Sequence, residues 1–221
     1  MEVDKDNVNE MSMEQNKEVA PNENGQVAIS GHIKIFDPNT DEVIIDKRNA
    51  IHYENMSEAL ANSLANKSIG QIYNMSFGNG GSSVDPTGVI TYLPPNTTGQ
   101  NANLYNPTYS KVVDDNSASN TDTSRNKLTV THTTGKVYTD ILVSCLLDYG
   151  EPSGQQAFDN STDFNGDYVF DELGLKVWNG SATNLRLITH VIFHPVQKSL
   201  NRQIQIDYTV RIQTLTNLSA T

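Results

Sequence analysis

The residue run closest to a metal-binding pattern is 161–172, which reads S-T-D-F-N-G-D-Y-V-F-D-E. Aligned with the calcium-loop pattern D-x-[DN]-x-[DN]-G-x5-E, it has matching residues at Asp163, Asn165, Gly166 and Glu172. Oxygen atoms such as those of Asp163, Asn165 and Glu172 are the ligands that calcium prefers, and the glycine permits the sharp turn of the loop. Ser161, however, stands where the pattern requires its first carboxylate, and Asn-Gly is also an ordinary turn signal. We therefore expect a polar turn, with a calcium site as the alternative.

The histidines and the single cysteine offer little other chemistry. His190 and His194 fall on one face of a predicted strand, but a rise of about 3.3 Å per residue separates their Cα atoms by about 13 Å. That separation is too large for two ligands of one zinc ion. Cys145 lies in an apolar alternation and is expected to be a buried small hydrophobe. We predict no catalytic, cofactor-binding or metal-binding residues, and therefore no enzyme.

A glycine-rich stretch at residues 77–83, F-G-N-G-G-S-S, superficially resembles a phosphate-binding loop. It lacks the lysine and the following Ser or Thr of a P-loop, and no helical pattern follows it. We interpret it as a turn at the end of a strand, with several glycines at positive φ.

Alternating apolar residues predict that most of the chain forms β-strands. Residues 26–35 and 43–45 should form a hairpin around an Asp-Pro-Asn-Thr turn. The strongest alternations, residues 184–193 and 202–212, predict a second hairpin at the centre of the sheet. Further strands are predicted at residues 71–77, 88–93, 127–132 and 136–147. The number of strands and turns is typical of an all-β fold, a jelly-roll-like β-sandwich.

One short helix is predicted near residues 56–66. Asn55 can act as its N-cap, and Glu58 stands three residues later, as in a capping box. Met56, Leu60 and Leu64 give it a narrow apolar stripe, so it should lie on a sheet or across one end of it.

The domain organisation follows from composition. Residues 1–25 carry seven acidic residues and no aromatic residue, so we expect a flexible acidic arm in the free protein. Residues 26–221 should form a single sandwich domain with a long polar loop at 94–126. Loops of that length usually have a function or are ordered by a neighbour. Tyr105 and Tyr109 in this loop are either contact anchors or a cover for the core's own edge.

Charge and apolar content disfavour several classes of partner. The formal net charge is −11, which repels phosphate backbones and anionic membranes. No apolar run approaches the ~20 residues of a transmembrane helix, and residues 1–15 lack the pattern of a secretory signal. We expect no direct nucleic-acid binding, no membrane association and synthesis in a reducing cytoplasm.

Three passages resemble structural proteins of tailed bacteriophages. Residues 46–81 open on D-K-R-N-A-I-H, continue through the helix and end on F-G-N-G-G. Residues 170–175, F-D-E-L-G-L, resemble an E-L/I-G-L element of phage tail and connector proteins. Residues 193–212 combine F-x-P-x-x-K with I-x-I-x-Y-x-V-x-I, similar to a closing hairpin of such proteins.

The resemblance implies a virion component made in the host cytoplasm, at the neck or collar, on the tail or decorating the capsid. Its expected partners are other virion proteins and copies of itself, and no functional residue carries over from the family. The alternative from another class is a carbohydrate-binding or receptor-binding module. That module would need an exposed aromatic platform, whereas Trp178 is expected to pack into the core.

Overall fold

Alternating apolar side chains build two antiparallel sheets that pack face to face. A computed structural model of the chain describes residues 25–153 and 169–216. Residues 1–24 of the predicted arm and the greater part of the calcium-like segment, including Ser161, Asp163, Asn165 and Gly166, lie outside these residues. The elements are β1 (Gly25–Phe36), β2 (Val43–Arg48), β3 (Ala50–Ile51), α1 (Tyr53–Leu64), β4 (Ile72–Gly78), β5 (Ser82–Val84), β6 (Ile90–Tyr92), β7 (Pro107–Val112), β8 (Lys127–His132), β9 (Tyr138–Leu147), β10 (Val169–Ser181), β11 (Asn184–Leu187), β12 (Thr189–Gln197) and β13 (Ile204–Thr216).

The first sheet has the strand order β2-β1-β13-β9-β8, and the second has the order β3-β12-β10-β4-β7, with β11 paired to β10. β13 is the central strand of the first sheet and pairs with β1 along its whole length, from Gly25↔Thr216 to Phe36↔Gln205. β5 and β6 form a separate two-stranded hairpin. The expectation of an all-β sandwich with one helix is confirmed.

The core lies between the inner faces of the two sheets. The first sheet contributes Ile33, Val143 and Ile206, and the second contributes Met75, Phe77 and Leu173, all at most 2% exposed. Cys145 belongs to this core, as expected, and burial raises its pKa to about 12. The thiol therefore remains protonated and packs as an apolar group.

The predicted hairpin of residues 184–193 and 202–212 is wrong. The first segment divides at Ile188 into β11 and β12, and β12 lies in the second sheet, whereas β13 lies in the first. Alternation identifies strands but does not identify their partners. β12 is apolar on both faces because a loop covers its outer face, and the sequence pattern does not separate this cover from a central position in one sheet.

The helix begins earlier than predicted. His52 is its N-cap, since its Nδ1 atom accepts a hydrogen bond from the backbone N–H of Asn55 at 3.2 Å. The Asn55 side chain is buried and instead donates to the Leu187 carbonyl at 2.8 Å. Met56 is buried, whereas Leu64 is 88% exposed, so the apolar stripe is shorter than the sequence suggested.

The loop predicted at 94–126 is interrupted by β7, which pairs with β4 at the edge of the second sheet. Residues 93–106, which we call the covering loop, lie over the outer face of that sheet. Leu104 is 4% exposed, and its Cδ2 lies 3.3 Å from where a Cβ on Gly174 would stand. The covering loop is thus ordered by the chain's own sheet.

Ile206 tests the register of β13. It is 1% exposed, whereas the neighbouring Gln205 is partly exposed and donates to Asp207 at 2.9 Å. We expect Ile206→Lys to abolish cooperative folding, because a buried cation without a partner consumes much of a typical total stability of about 5–15 kcal/mol. Gln205→Lys should change stability by less than about 0.5 kcal/mol. Urea denaturation followed by circular dichroism measures both, and equal stability of the two variants would contradict the register.

Candidate functional site

Two adjacent acidic side chains of β10 lie outside the apolar core, beside an irregularity in the pairing of β10 with β12. The pairing of β10 with β12 shifts register between Phe170 and Glu172. The extra residues lie in β12, where residues 193–195 stand opposite Asp171 alone. Phe170 and Leu173 both enter the core, although alternation alone would put them on opposite faces. Asp171 and Glu172, between them, are free to bind the loops that cross this end of the second sheet.

Glu172 accepts four hydrogen bonds. Its Oε1 accepts from the backbone N–H groups of Gly80 at 3.1 Å and Asn106 at 2.8 Å. Its Oε2 accepts from the backbone N–H of Tyr105 and from Nε2 of His190, both at 2.9 Å. Glu172 is 0% exposed. One carboxylate thus joins the glycine-rich turn, the covering loop and strand β12.

The hydrogen bonds of His190 define its tautomer. Its Nδ1 accepts from the backbone N–H of Asn96 at 2.8 Å, so the proton resides on Nε2, which donates to Glu172. The imidazole is 0% exposed, and the Tyr105 ring lies 5.8 Å from it, centre to centre. His190 therefore holds the covering loop at Asn96, while Glu172 holds it at Tyr105 and Asn106.

Asp171 fixes the start of β5. Its Oδ1 accepts from the Gly81 N–H at 2.9 Å, and its Oδ2 accepts from the Ser82 N–H at 2.7 Å and the Ser82 hydroxyl at 2.5 Å. The adjacent carboxylates thus divide the glycine-rich turn between them, because Glu172 binds its first half and Asp171 its second half.

The glycines of this turn are required because they let its backbone lie close to Glu172 and to the covering loop, and not because they adopt positive φ angles. A Cβ on Gly78 would stand 2.5 Å from Oε1 of Glu172, and a Cβ on Gly80 would stand 2.7 Å from the Asn106 nitrogen. None of Gly78, Gly80 and Gly81 has a left-handed φ, so the prediction of positive φ angles here was wrong. A side chain at these positions would displace the backbone from the carboxylates.

The pKa values of the two adjacent carboxyl groups shift in opposite directions. Burial raises the pKa of Asp171 above its ordinary value, despite the hydrogen bonds from the glycine-rich turn. Burial also acts to raise the pKa of Glu172, but the hydrogen bonds from His190 and the two loop amides outweigh it and lower that pKa. Ionised Glu172 therefore stabilises the fold above its ordinary pKa, and this contribution is lost as the pH falls through the lowered value.

The cluster of Asp171, Glu172 and His190 holds the glycine-rich turn and the covering loop in place. Every oxygen of the two carboxylates already accepts a hydrogen bond, and His190 is fully enclosed. Glu172, which would be the last ligand of the calcium pattern, is occupied by protein donors. His194 is exposed on the same strand and apart from this cluster. Within residues 25–153 and 169–216, no three His, Cys, Asp or Glu side chains are grouped so as to hold a metal ion.

Sequence reasoning missed this pair of carboxylates. Their signal is two adjacent acids inside the apolar run V-F-D-E-L at residues 169–173, where a buried charge requires several donors. Trp178 is partly buried and packs against Tyr73 with ring centroids 4.8 Å apart, but it lies outside the core cluster that contains the neighbouring Val177, so the expectation that it packs into the core is wrong.

A second feature is the end of the first sheet near Gly25 and Thr216. Along its core-facing side, burial is complete at Val210 and decreases towards the end of β13. At and beyond the level of Val210, six apolar side chains on this side are exposed or only partly buried, with Thr139 and Thr214 beside them. We call the six the sheet overhang: Val27, Ile29, Val130, Val137, Ile141 and Ile212. Of these, Val27 and Val137 are 59% exposed, and Val130 is 67% exposed.

The overhang is continuous across the strands and has open edges. Val130 pairs with Ile141, which in turn pairs with Val210, and Ile212 pairs with Ile29. β2 pairs only with residues 32–36 of β1, so residues 25–30 have no strand partner on that side within the described chain. β8 is the opposite edge. Such a surface can extend a neighbouring sheet or pack on another apolar face.

Comparison with known proteins gives no relative: no protein-family model, curated protein or solved structure matches the chain. No helix within the described residues is long and apolar enough to cross a membrane.

Glu172→Gln tests whether this carboxylate holds the loops. The amide cannot accept all four hydrogen bonds, so we expect the free energy of unfolding to fall by about 3 kcal/mol or more at neutral pH. Hydrogen–deuterium exchange should quicken at Gly80, Tyr105 and Asn106 more than in β13. The difference in stability between the two proteins should narrow below the ordinary pKa of 4.5.

The matched control is Glu54→Gln, an exposed residue in the first turn of α1. It should leave exchange and stability unchanged. Unaltered protection of the three loop amides in Glu172→Gln would rule out the proposed role of the carboxylate.

Proposed function

We propose that this chain is a non-enzymatic virion structural protein of the tailed-bacteriophage type, which assembles with copies of itself and with other virion proteins. The head–tail connection or the tail is the proposed location, with capsid decoration as the second candidate.

The observation that carries the proposal is the convergence of the three phage-like passages. Glu172, from the second passage, accepts a hydrogen bond from Gly80, from the first. Phe77, Phe170 and Phe193, one from each passage, line a single interior space. Passages far apart in sequence therefore form one packed unit, which supports interpreting them as a shared structural signature rather than as separate coincidences.

The sheet overhang supports assembly as the activity. Its side chains continue the core-facing pattern of the first sheet, so the face that matches it best is another apolar sheet face. A second copy of the chain supplies that face, in a two-fold contact that places the same residues on both sides. Each valine removed from water there contributes up to about 1.5 kcal/mol.

The experiment combines incorporation and self-association. Particles purified from the phage or prophage host that encodes the chain should contain it at a fixed copy number by quantitative mass spectrometry. In complementation, Val130→Lys should reduce incorporation, and light scattering should show weaker self-association of the purified variant. A folded protein that is abundant in the lysate and absent from particles would contradict the proposal.

Thr131→Lys is the control for this experiment. Thr131 is the next residue of β8, is also exposed and points to the opposite face. It should be incorporated like the unchanged chain. If both lysine variants behave alike, the overhang is not the interface, whatever the outcome for the particle.

A further inference from the structure

A polar groove of about 620 Å³ lies on the outer face of the second sheet, away from both the carboxylate pair and the overhang. Its floor is formed by Asn74 and Ser76 of β4 and by Lys176 of β10, which pairs with Asn74. The covering loop at residues 101–103 forms one wall, and the β10–β11 turn at residues 182–184 forms another. Its volume is in the usual range for small-ligand sites.

The polar groups of the floor are not fully satisfied by the protein. Asn74 is 6% exposed, and its only side-chain hydrogen bond among the described residues is accepted from Ser76 at 3.5 Å. Its amide nitrogen therefore has no acceptor there. The Thr108 hydroxyl and the Arg186 Nε atom, also in the lining, are buried without a partner. These two atoms are closed to solvent and a ligand does not reach them, whereas the Asn74 amide nitrogen is not fully enclosed and can donate to a ligand in the groove.

Lys176 determines the charge of that ligand. It is partly buried and makes no ion pair or hydrogen bond with any described residue, and burial lowers its pKa. The lining contains Lys176 and Arg186 and no Asp or Glu, although the chain as a whole carries a net charge of −11. A cation held in an acid-free groove on an acidic protein favours an anionic ligand.

We propose that this groove binds an acidic saccharide, with Lys176 facing its carboxylate or phosphate and the Asn, Ser and Thr side chains facing its hydroxyl groups. Amides and hydroxyls can both donate and accept, as sugar hydroxyls require. The groove lies on a sheet face rather than along a strand edge, which favours a saccharide over a peptide that pairs through its main chain. Long polyanions such as nucleic acids are disfavoured by the net charge. The site is independent of the assembly proposal.

The test is an array of uronate-containing, sialylated and phosphorylated oligosaccharides, printed beside their neutral counterparts and probed with the full chain. Selective binding of acidic members is expected. Calorimetry with the oligosaccharide that binds best should then show that Lys176→Met lowers the affinity by about tenfold or more, as expected for the loss of one charge-assisted hydrogen bond. Lys176→Arg should restore the affinity.

Lys127→Met, at an exposed site on β8, is the control and should bind normally. Melting temperature separates a binding role from a structural one, because Lys176→Met removes a desolvated cation and should leave stability unchanged or raised. Binding of neutral sugars alone, equal binding of hexaglutamate, no binding at all, or a destabilised Lys176→Met variant would each overturn the proposal.

Discussion

The buried carboxylate of Glu172 is the constraint on which the surface of the second sheet depends. An ionised group enclosed by protein is tolerated only if donors replace the water it has lost. Three backbone amides and one imidazole do so here, and they come from segments far apart in the chain. The loops are therefore held in position by their hydrogen bonds to this one charge. The glycines of the turn are needed because a side chain there would keep the backbone from approaching the carboxylate.

This constraint separates two kinds of surface. Near Glu172, the covering loop is fixed on the sheet, and one of its edges becomes a wall of the polar groove. The sheet overhang, in contrast, is not covered by any loop within the described residues, although its side chains are apolar like those of the core. The first surface is preorganised for a ligand, because its walls do not have to be ordered on binding. The second is suited to a neighbouring sheet, because burial is its main unmet requirement.

The sequence predicted the elements better than their partners. β8 and β4 were found within about one residue because alternation is a local property of each strand. β12 was placed in the wrong sheet, since an outer face covered by a loop has the same pattern as a central strand. The helix start was missed because His52 caps it while Asn55 is occupied by long-range hydrogen bonds. The site was missed for a similar reason: most of its donors are backbone amides, which leave no mark in a sequence.

The most direct measurement is the titration of the side-chain carboxyl carbons of Asp171 and Glu172 by ¹³C NMR, with Glu172→Gln to identify the second resonance. We expect Glu172 to stay ionised below its ordinary pKa, because four donors hold its charged form, and Asp171 to take up its proton above its ordinary pKa. If Glu172 titrates at or above its ordinary pKa, its charge is not held by the loops, and the central claim is contradicted.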